Sequence, residues 1–326
     1  MISRLQPMGG GLEPAADFQS ADDHVGRALS PRRPLKAAQT HHTCLGRLIL
    51  LALILSAPAL PATHSVVISG LGGEPEYSRR FESWSAGIAK ALPGTLVFNN
   101  ATAGDVRSAL GNLARRSTPQ DDVVVTFIGH GAFDGAEYKF NLRGPDLTAQ
   151  QLAALLDAIP AARQLVLDLT SASGAALDAL RKPNRVVITA TRNGNEKFAP
   201  IFARYWAEAL RDPSADTDKN ESISALEAFR LAEDRTARFY KEQNRLATEH
   251  PRIDGNGAAF ILTRYGRTAL AQDDPARRNL LARREQIERQ IEELKMRKAA
   301  MDASEYRRRL TALLIQLAKV QEELDR

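Results

Sequence analysis

Cysteine is almost missing from this 326-residue chain, which has only Cys44. A disulfide framework within the chain is therefore excluded, and everything beyond residue 44 lacks a thiol. The six histidines and one cysteine show no zinc-type spacing, and no glycine-rich phosphate loop ending in Lys and Ser/Thr occurs. Charge of one sign is also scarce. The formal net charge of +5 is thinly spread, and Arg blocks alternate with Glu towards the C-terminus, so composition points to no nucleic-acid partner. Long apolar runs are absent as well. Residues 48–55 (LILLALIL) form a core too short for a membrane span and suited to an export signal.

At 44% hydrophobic content the chain can bury a substantial core. Residues 1–43, rich in Pro, Gly, Arg and Ala without apolar periodicity, read as a disordered extension or an upstream mis-start. Residues 44–62 read as a signal peptide: Arg47 precedes the apolar core, and small residues at 57–62 offer cleavage sites. The expected location is exported, periplasmic or secreted, with a membrane anchor through 48–60 as the alternative.

From residue 64 to about 270, strand-like and helix-like runs alternate. Strands are expected at 64–69, 95–98, 122–128, 164–169, 185–190 and 259–263. Helical spacing is expected at 76–92, 103–116, 147–159, 198–210 and 225–244. Nearly unbroken apolar strands separated by amphipathic helices imply an α/β fold whose mainly parallel sheet is covered on both faces. In such sheets ligands sit beyond the carboxyl ends of the strands. Beyond Pro275 the character changes. Leu280, Ile287, Leu294 and Met301, then Leu310, Leu313, Leu317, Val320 and Leu324, recur at heptad spacing among Arg, Glu and Lys. Residues 276–326 read as a helical hairpin or coiled coil through which the chain could form a homo-oligomer.

Two strand ends carry candidate chemistry. The strand at 122–128 delivers Gly129-His130-Gly131, a histidine that titrates near neutrality with room around it, as a general base requires. The bland alternative is a turn histidine satisfied by loop carbonyls. The strand at 164–169 delivers Asp168-Leu-Thr-Ser171-Ala-Ser173-Gly174, small hydroxyl residues on a tight turn whose N–H groups could form an anion hole. For Ser173, helix capping is the competing role.

This pattern of strand, Gly-His-Gly, helix, strand and small-x-Ser-Gly resembles the caspase and legumain type of cysteine endopeptidase. The likeness is closest to bacterial legumain-like proteins of the peptidase C13 group and extends from about Val66 to Gly257. Residues 71–77 (LGGEPEY), 186–192 (VVITATR), 216–229 and 249–251 (EHP) are similar to that group's motifs. The resemblance implies a caspase-like three-layer sandwich, a peptide or protein ligand, and His130 at the place of the catalytic histidine. It places Ser171 where the family has its nucleophilic cysteine. A serine hydroxyl needs a positioned base and an oxyanion hole to act, whereas a thiolate forms readily. Three readings stay open: a non-catalytic peptide-binding or assembly module, a serine hydrolase using Ser171 and His130, and a scaffold in which neither matters. Gly131, Ser173 and Arg192 are the expected substrate-contacting residues. The family builds a pocket at the strand end carrying Arg192, although an Arg beside Asn-Gly also suits a solvated turn.

The stretch from Asp216 to Glu227 matches a calcium loop at Asp216, Asp218, Asn220 and Glu227, with Glu221 in place of the turn glycine. Ser224-x-x-Glu227 equally reads as a capping box opening the next helix. No cofactor is required by the resemblance; calcium is the candidate ion.

Overall fold

Six strands form the central sheet of the computed structural model, which describes residues 62–326. They are β1 (Thr63–Ser69), β2 (Leu96–Phe98), β3 (Asp122–Gly129), β7 (Arg163–Thr170), β8 (Arg185–Thr189) and β10 (Arg252–Asp254). Their order is β10-β8-β7-β3-β1-β2, parallel throughout except for the edge strand β10. The apolar runs that mark β1, β3, β7 and β8 are buried on both faces, as a parallel sheet covered by helices demands. Cys44, the apolar run at 48–55, and with them the expected extension and export signal at 1–61, lie outside the described residues.

One face is covered by α2 (Ala103–Arg116), α3 (Ala149–Asp157) and α4 (Leu177–Leu180). Their Val106, Leu110, Leu152, Leu156, Leu177 and Leu180 pack on Val66, Val123, Val125, Phe127 and Val166. The other face is covered by α1 (Pro75–Ala91), α5 (Phe202–Ala209) and α6 (Ala225–Glu242), which bring Phe81, Ile88, Phe202, Trp206 and Phe229 onto Val67, Val124, Leu165, Leu167 and Ile188. Each such side chain contributes on the order of 1.5–3 kcal/mol when taken out of water, so the helices are held by this packing more than by intrinsic propensity. Their starts are fixed locally. Thr102 with Asp105, Thr148 with Gln151 and Ser224 with Glu227 all form capping boxes.

Between β3 and α3 the chain makes a small antiparallel sheet of β4 (Gly131–Phe133), β5 (Tyr138–Phe140) and β6 (Leu147–Thr148). A second small pair joins β9 (Ser222–Ser224) to β11 (Ile261–Arg264). After α7 (Gly266–Ala271), helices α8 (Pro275–Met296) and α9 (Ala303–Asp325) pack on each other through Ile287, Ile291 and Val320, flanked by Leu310, Leu313, Leu317 and Leu324. Leu280 packs on this seam as heptad counting expected, Leu281 beside it in sequence is buried, and Met301 falls in the connection. The hairpin is tied to the sheet domain by Arg264 Nε donating to Glu285 (2.8 Å) and by Arg284, which donates to the Asn220 carbonyl (3.1 Å). No helix among the described residues is long and apolar enough to cross a membrane.

Candidate active site

The parallel order places β3 beside β7, so the two strand ends singled out in the sequence meet. His130 leaves β3 with its ring edge-on to Tyr77 (4.8 Å between centroids) and Phe81 (5.3 Å) of α1. Its Nε2 lies 3.2 Å from the Gly72 carbonyl. A carbonyl can only accept, so Nε2 carries the proton and Nδ1 is the free nitrogen of the neutral ring. Burial lowers the pKa of His130, opposed by the Gly72 hydrogen bond and the charge of Glu74. The ring is thus a neutral imidazole at neutral pH, in the tautomer a base acting through Nδ1 would need.

Ser171 sits at the end of β7 with 2% of its surface exposed. Its Oγ donates to the Gly131 carbonyl and accepts from the Gly131 N–H, both at 3.0 Å. No hydrogen bond joins it to His130 among the described residues. Gly131 is required here for closeness: a Cβ at that position would lie 2.3 Å from the Ser171 carbonyl oxygen and 2.6 Å from the Tyr138 ring. The flanking glycine therefore lets two strands touch, where the sequence suggested free space for a ligand.

Ala172, next in the turn, is fully buried in a left-handed conformation (φ 56°), which costs a non-glycine residue about 1–2 kcal/mol. Three of the turn's amides are already used. Ala172 N–H donates to the Glu196 carbonyl (2.8 Å), Gly174 N–H to Thr191 Oγ1 (2.9 Å), and Ala175 N–H to the Ala172 carbonyl (3.0 Å). Ser173 is buried with its Oγ against Thr191, accepting the Thr191 N–H at 3.2 Å. Arg192 is exposed at the rim; its backbone N–H is held by Glu196 Oε2 (2.8 Å), and the same oxygen takes the His250 N–H (3.0 Å). Glu196 Oε1 pairs with His250 Nδ1 at 2.6 Å.

Beneath the two strand ends lies a polar group that sequence reasoning left unassigned. Asp168 is fully buried, and its Oδ1 accepts from Thr170 Oγ1 (2.7 Å) and the Tyr138 hydroxyl (3.1 Å), while Oδ2 has no partner. Burial raises the Asp168 pKa to about 6, against the lowering effect of those hydrogen bonds. Asp168 serves Tyr138 and Thr170, and is not the third group supporting His130. The signal that could have marked it was an acid and a hydroxyl at strand period within an apolar strand.

The acidic loop forms a second cluster. Carboxylate oxygens of Asp216, Asp218 and Glu227 all lie within 4.8 Å of one another. Asp216 is buried and accepts from the Asn220 and Glu221 N–H groups (3.2 and 3.0 Å). Asn220 stands beside the cluster, its Oδ1 accepting from Ser222 N–H (2.9 Å) and its Nδ2 donating to Asp218 (3.2 Å). Glu221 occupies the left-handed region (φ 59°) at the very place where the template wants glycine. Glu227 also closes the capping box: its Oε2 accepts the Ser224 N–H (2.9 Å), and Oε1 accepts the Thr217 N–H (2.9 Å). Burial, followed by the Glu227 charge, raises the Asp218 pKa to about 6. Three hard oxygen donors facing one point suit a calcium-type cation.

The fold is an α/β domain whose mainly parallel sheet brings the two strand ends together. Residues 95–245 match the model of the peptidase C13 family, a stretch that includes His130, Ser171 and the acidic loop. Among solved structures, a Geobacter sulfurreducens protein aligns at 13% identity over 63% of this chain and 97% of its own, with a TM-score of 0.41. The Drosophila initiator caspase Dronc aligns at 10% identity over 60% of this chain and 80% of its own, TM-score 0.40. The protein drICE aligns at 10% identity over 60% of this chain and 87% of its own, TM-score 0.38. No curated protein matches the chain.

Proposed function

We propose that this protein is an exported peptidase C13 homologue that binds peptide or protein ligands at the β3/β7 strand ends without cysteine-protease chemistry. The observation that carries this reading is the state of Ser171. Its hydroxyl is held on both sides by the Gly131 backbone and makes no hydrogen bond to a base among the described residues, while the Ala172, Gly174 and Ala175 amides are consumed inside the turn. A serine with no base in hydrogen-bond reach lacks the activation that acyl transfer by a hydroxyl requires. His130, in contrast, keeps one nitrogen free and a wall of Tyr77 and Phe81 beside it, a surface able to receive a peptide group. The test is labelling by a serine-directed fluorophosphonate, alongside peptide-library binding. Absence of label in both wild type and Ser171→Ala, with peptide binding lost in His130→Ala, supports the reading. Labelling of wild type that disappears in Ser171→Ala overturns it in favour of a serine hydrolase.

Three further parts of the proposal rest on other segments. Export runs through residues 44–62, and fractionation of the expressed full chain into a cytoplasmic pool alone would refute it. Calcium is held by Asp216, Asp218 and Glu227, supported by their convergence and by Glu221 adopting the glycine-type conformation of the template. Self-association uses the outer side of α9, where Leu314 and Ile315 are exposed; equal solution mass for wild type and a Leu314→Lys/Ile315→Lys variant argues against it.

A further inference from the structure

At the end of the sheet opposite the strand ends described above, Asp122 opens β3 and Arg163 opens β7, paired in register. Helix α8 runs past them, and between lies a cavity of about 380 Å³ whose lining includes Arg163, Arg264, Arg278 and Arg289. The two acids in that lining are taken. Asp122 accepts from Arg163 Nε (2.8 Å) and Glu285 from Arg264 Nε (2.8 Å). Arg278 and Arg289 form no side-chain hydrogen bond or ion pair among the described residues, so the lining carries two more guanidinium groups than carboxylates.

Arg289 is the more informative of the two. It is partly buried, and its pKa is lowered by that burial and then by the charge of Arg163 nearby, against the opposing charges of Glu285, Asp122 and Glu293. A half-buried cation without a hydrogen-bonded acid, in a lining richer in guanidinium than in carboxylate groups, favours the entry of an anion. Arg278 lies eleven residues earlier, three helical turns or roughly 16 Å along the same side of α8. It is exposed and therefore suited to attracting an anion rather than gripping the same one. Leu281, Ala282 and Ala162 supply apolar wall.

We propose that this cavity is a binding site for a phosphate-type dianion, free or as a small monoester, seated on the Arg289 guanidinium beside Arg163. The planar fork of Arg289 can meet two oxygens of one tetrahedral anion, and the second negative charge answers the remaining positive excess of the lining. The site bridges the sheet domain and the C-terminal hairpin, so occupancy would hold the two together. It is independent of the peptide-binding reading.

Inorganic phosphate and a simple alkyl phosphate are titrated separately against the full chain at constant ionic strength, by calorimetry and thermal melting, with citrate and chloride as comparison anions. Saturable binding of either phosphate, weakened at least tenfold in Arg289→Gln and about two- to threefold in Arg278→Gln, is the expected result; the stronger of the two ligands identifies the source. Arg289→Lys, which keeps the charge and loses the fork, should also bind several-fold more weakly, and it stands in should Arg289→Gln fail to fold. No binding beyond the chloride response, equal binding by wild type and the Arg289 variants, or tighter binding of citrate than of either phosphate each overturns the proposal.

Discussion

Replacing Asp168 by Asn should change how stability depends on pH. The folded-state pKa of Asp168 is raised from 3.8 to about 6 by complete burial. A carboxyl group with a raised folded pKa binds its proton more tightly in the native state than in the unfolded chain. Its stabilising contribution is complete below pH 3.8 and is lost as pH rises through about 6. Two pH units of differential protonation correspond to about 3 kcal/mol; between pH 4 and 7 roughly 2–3 kcal/mol of that is lost. In Asp168→Asn the amide oxygen still accepts from Thr170 and Tyr138, while its NH2 group takes the place of the unpartnered Oδ2, a cost of about 1–3 kcal/mol that does not vary with pH. Urea unfolding of wild type and variant at pH 4, 5, 6 and 7 isolates the effect, because all other titrating groups cancel in the difference. The variant should be the less stable protein at pH 4 and should gain roughly 2–3 kcal/mol on wild type by pH 7. Two curves that stay parallel would refute the assignment of a buried, proton-binding carboxyl beneath the site.

Three other outcomes follow from the packing. Gly131→Ala places a methyl 2.3 Å from the Ser171 carbonyl oxygen, so overpacking should lower stability by about 1–3 kcal/mol or more and disorder the Ser171 turn, read by melting temperature and by amide spectra of the turn. For the acidic loop, calcium should raise the melting temperature of wild type and leave an Asp216→Asn/Asp218→Asn variant unmoved; equal shifts in both would rule that loop out as the site. Ile291→Ala opens a gap against Val320 and should cost about 2–4 kcal/mol in the hairpin, detected as earlier hydrogen exchange in α8 and α9 while the sheet core keeps its protection.

The long parallel strands were readable because a strand buried on both faces must be apolar along most of its length, as Val123–Val125 and Leu165–Leu167 are. Their adjacency, and so the meeting of His130 with Ser171, follows from sheet topology and the rule that ligand sites gather at strand ends. Three-residue strands such as those at 131–133, 138–140 and 252–254 were not readable, since so few residues carry no periodicity and their pairing is decided by distant neighbours. Side-chain aim was hidden for the same reason. Gly131 reads as open space along the chain but is packed against Ser171, and the Gly72 carbonyl that orients His130 lies 58 residues away. Ser224 and Glu227 were legible as a cap because both partners lie within one turn of helix.

Glu196 has a consequence for motion. Its carbonyl holds the amide of Ala172, and its carboxylate holds the amides of Arg192 and His250 as well as the His250 ring. One residue thus knots together the turn after β7, the loop after β8 and the segment entering β10. These three loops cannot breathe separately. Slow opening should be recorded at Ala172, Arg192 and His250 with a common rate, and a guest that displaces any one of them must unfasten all three.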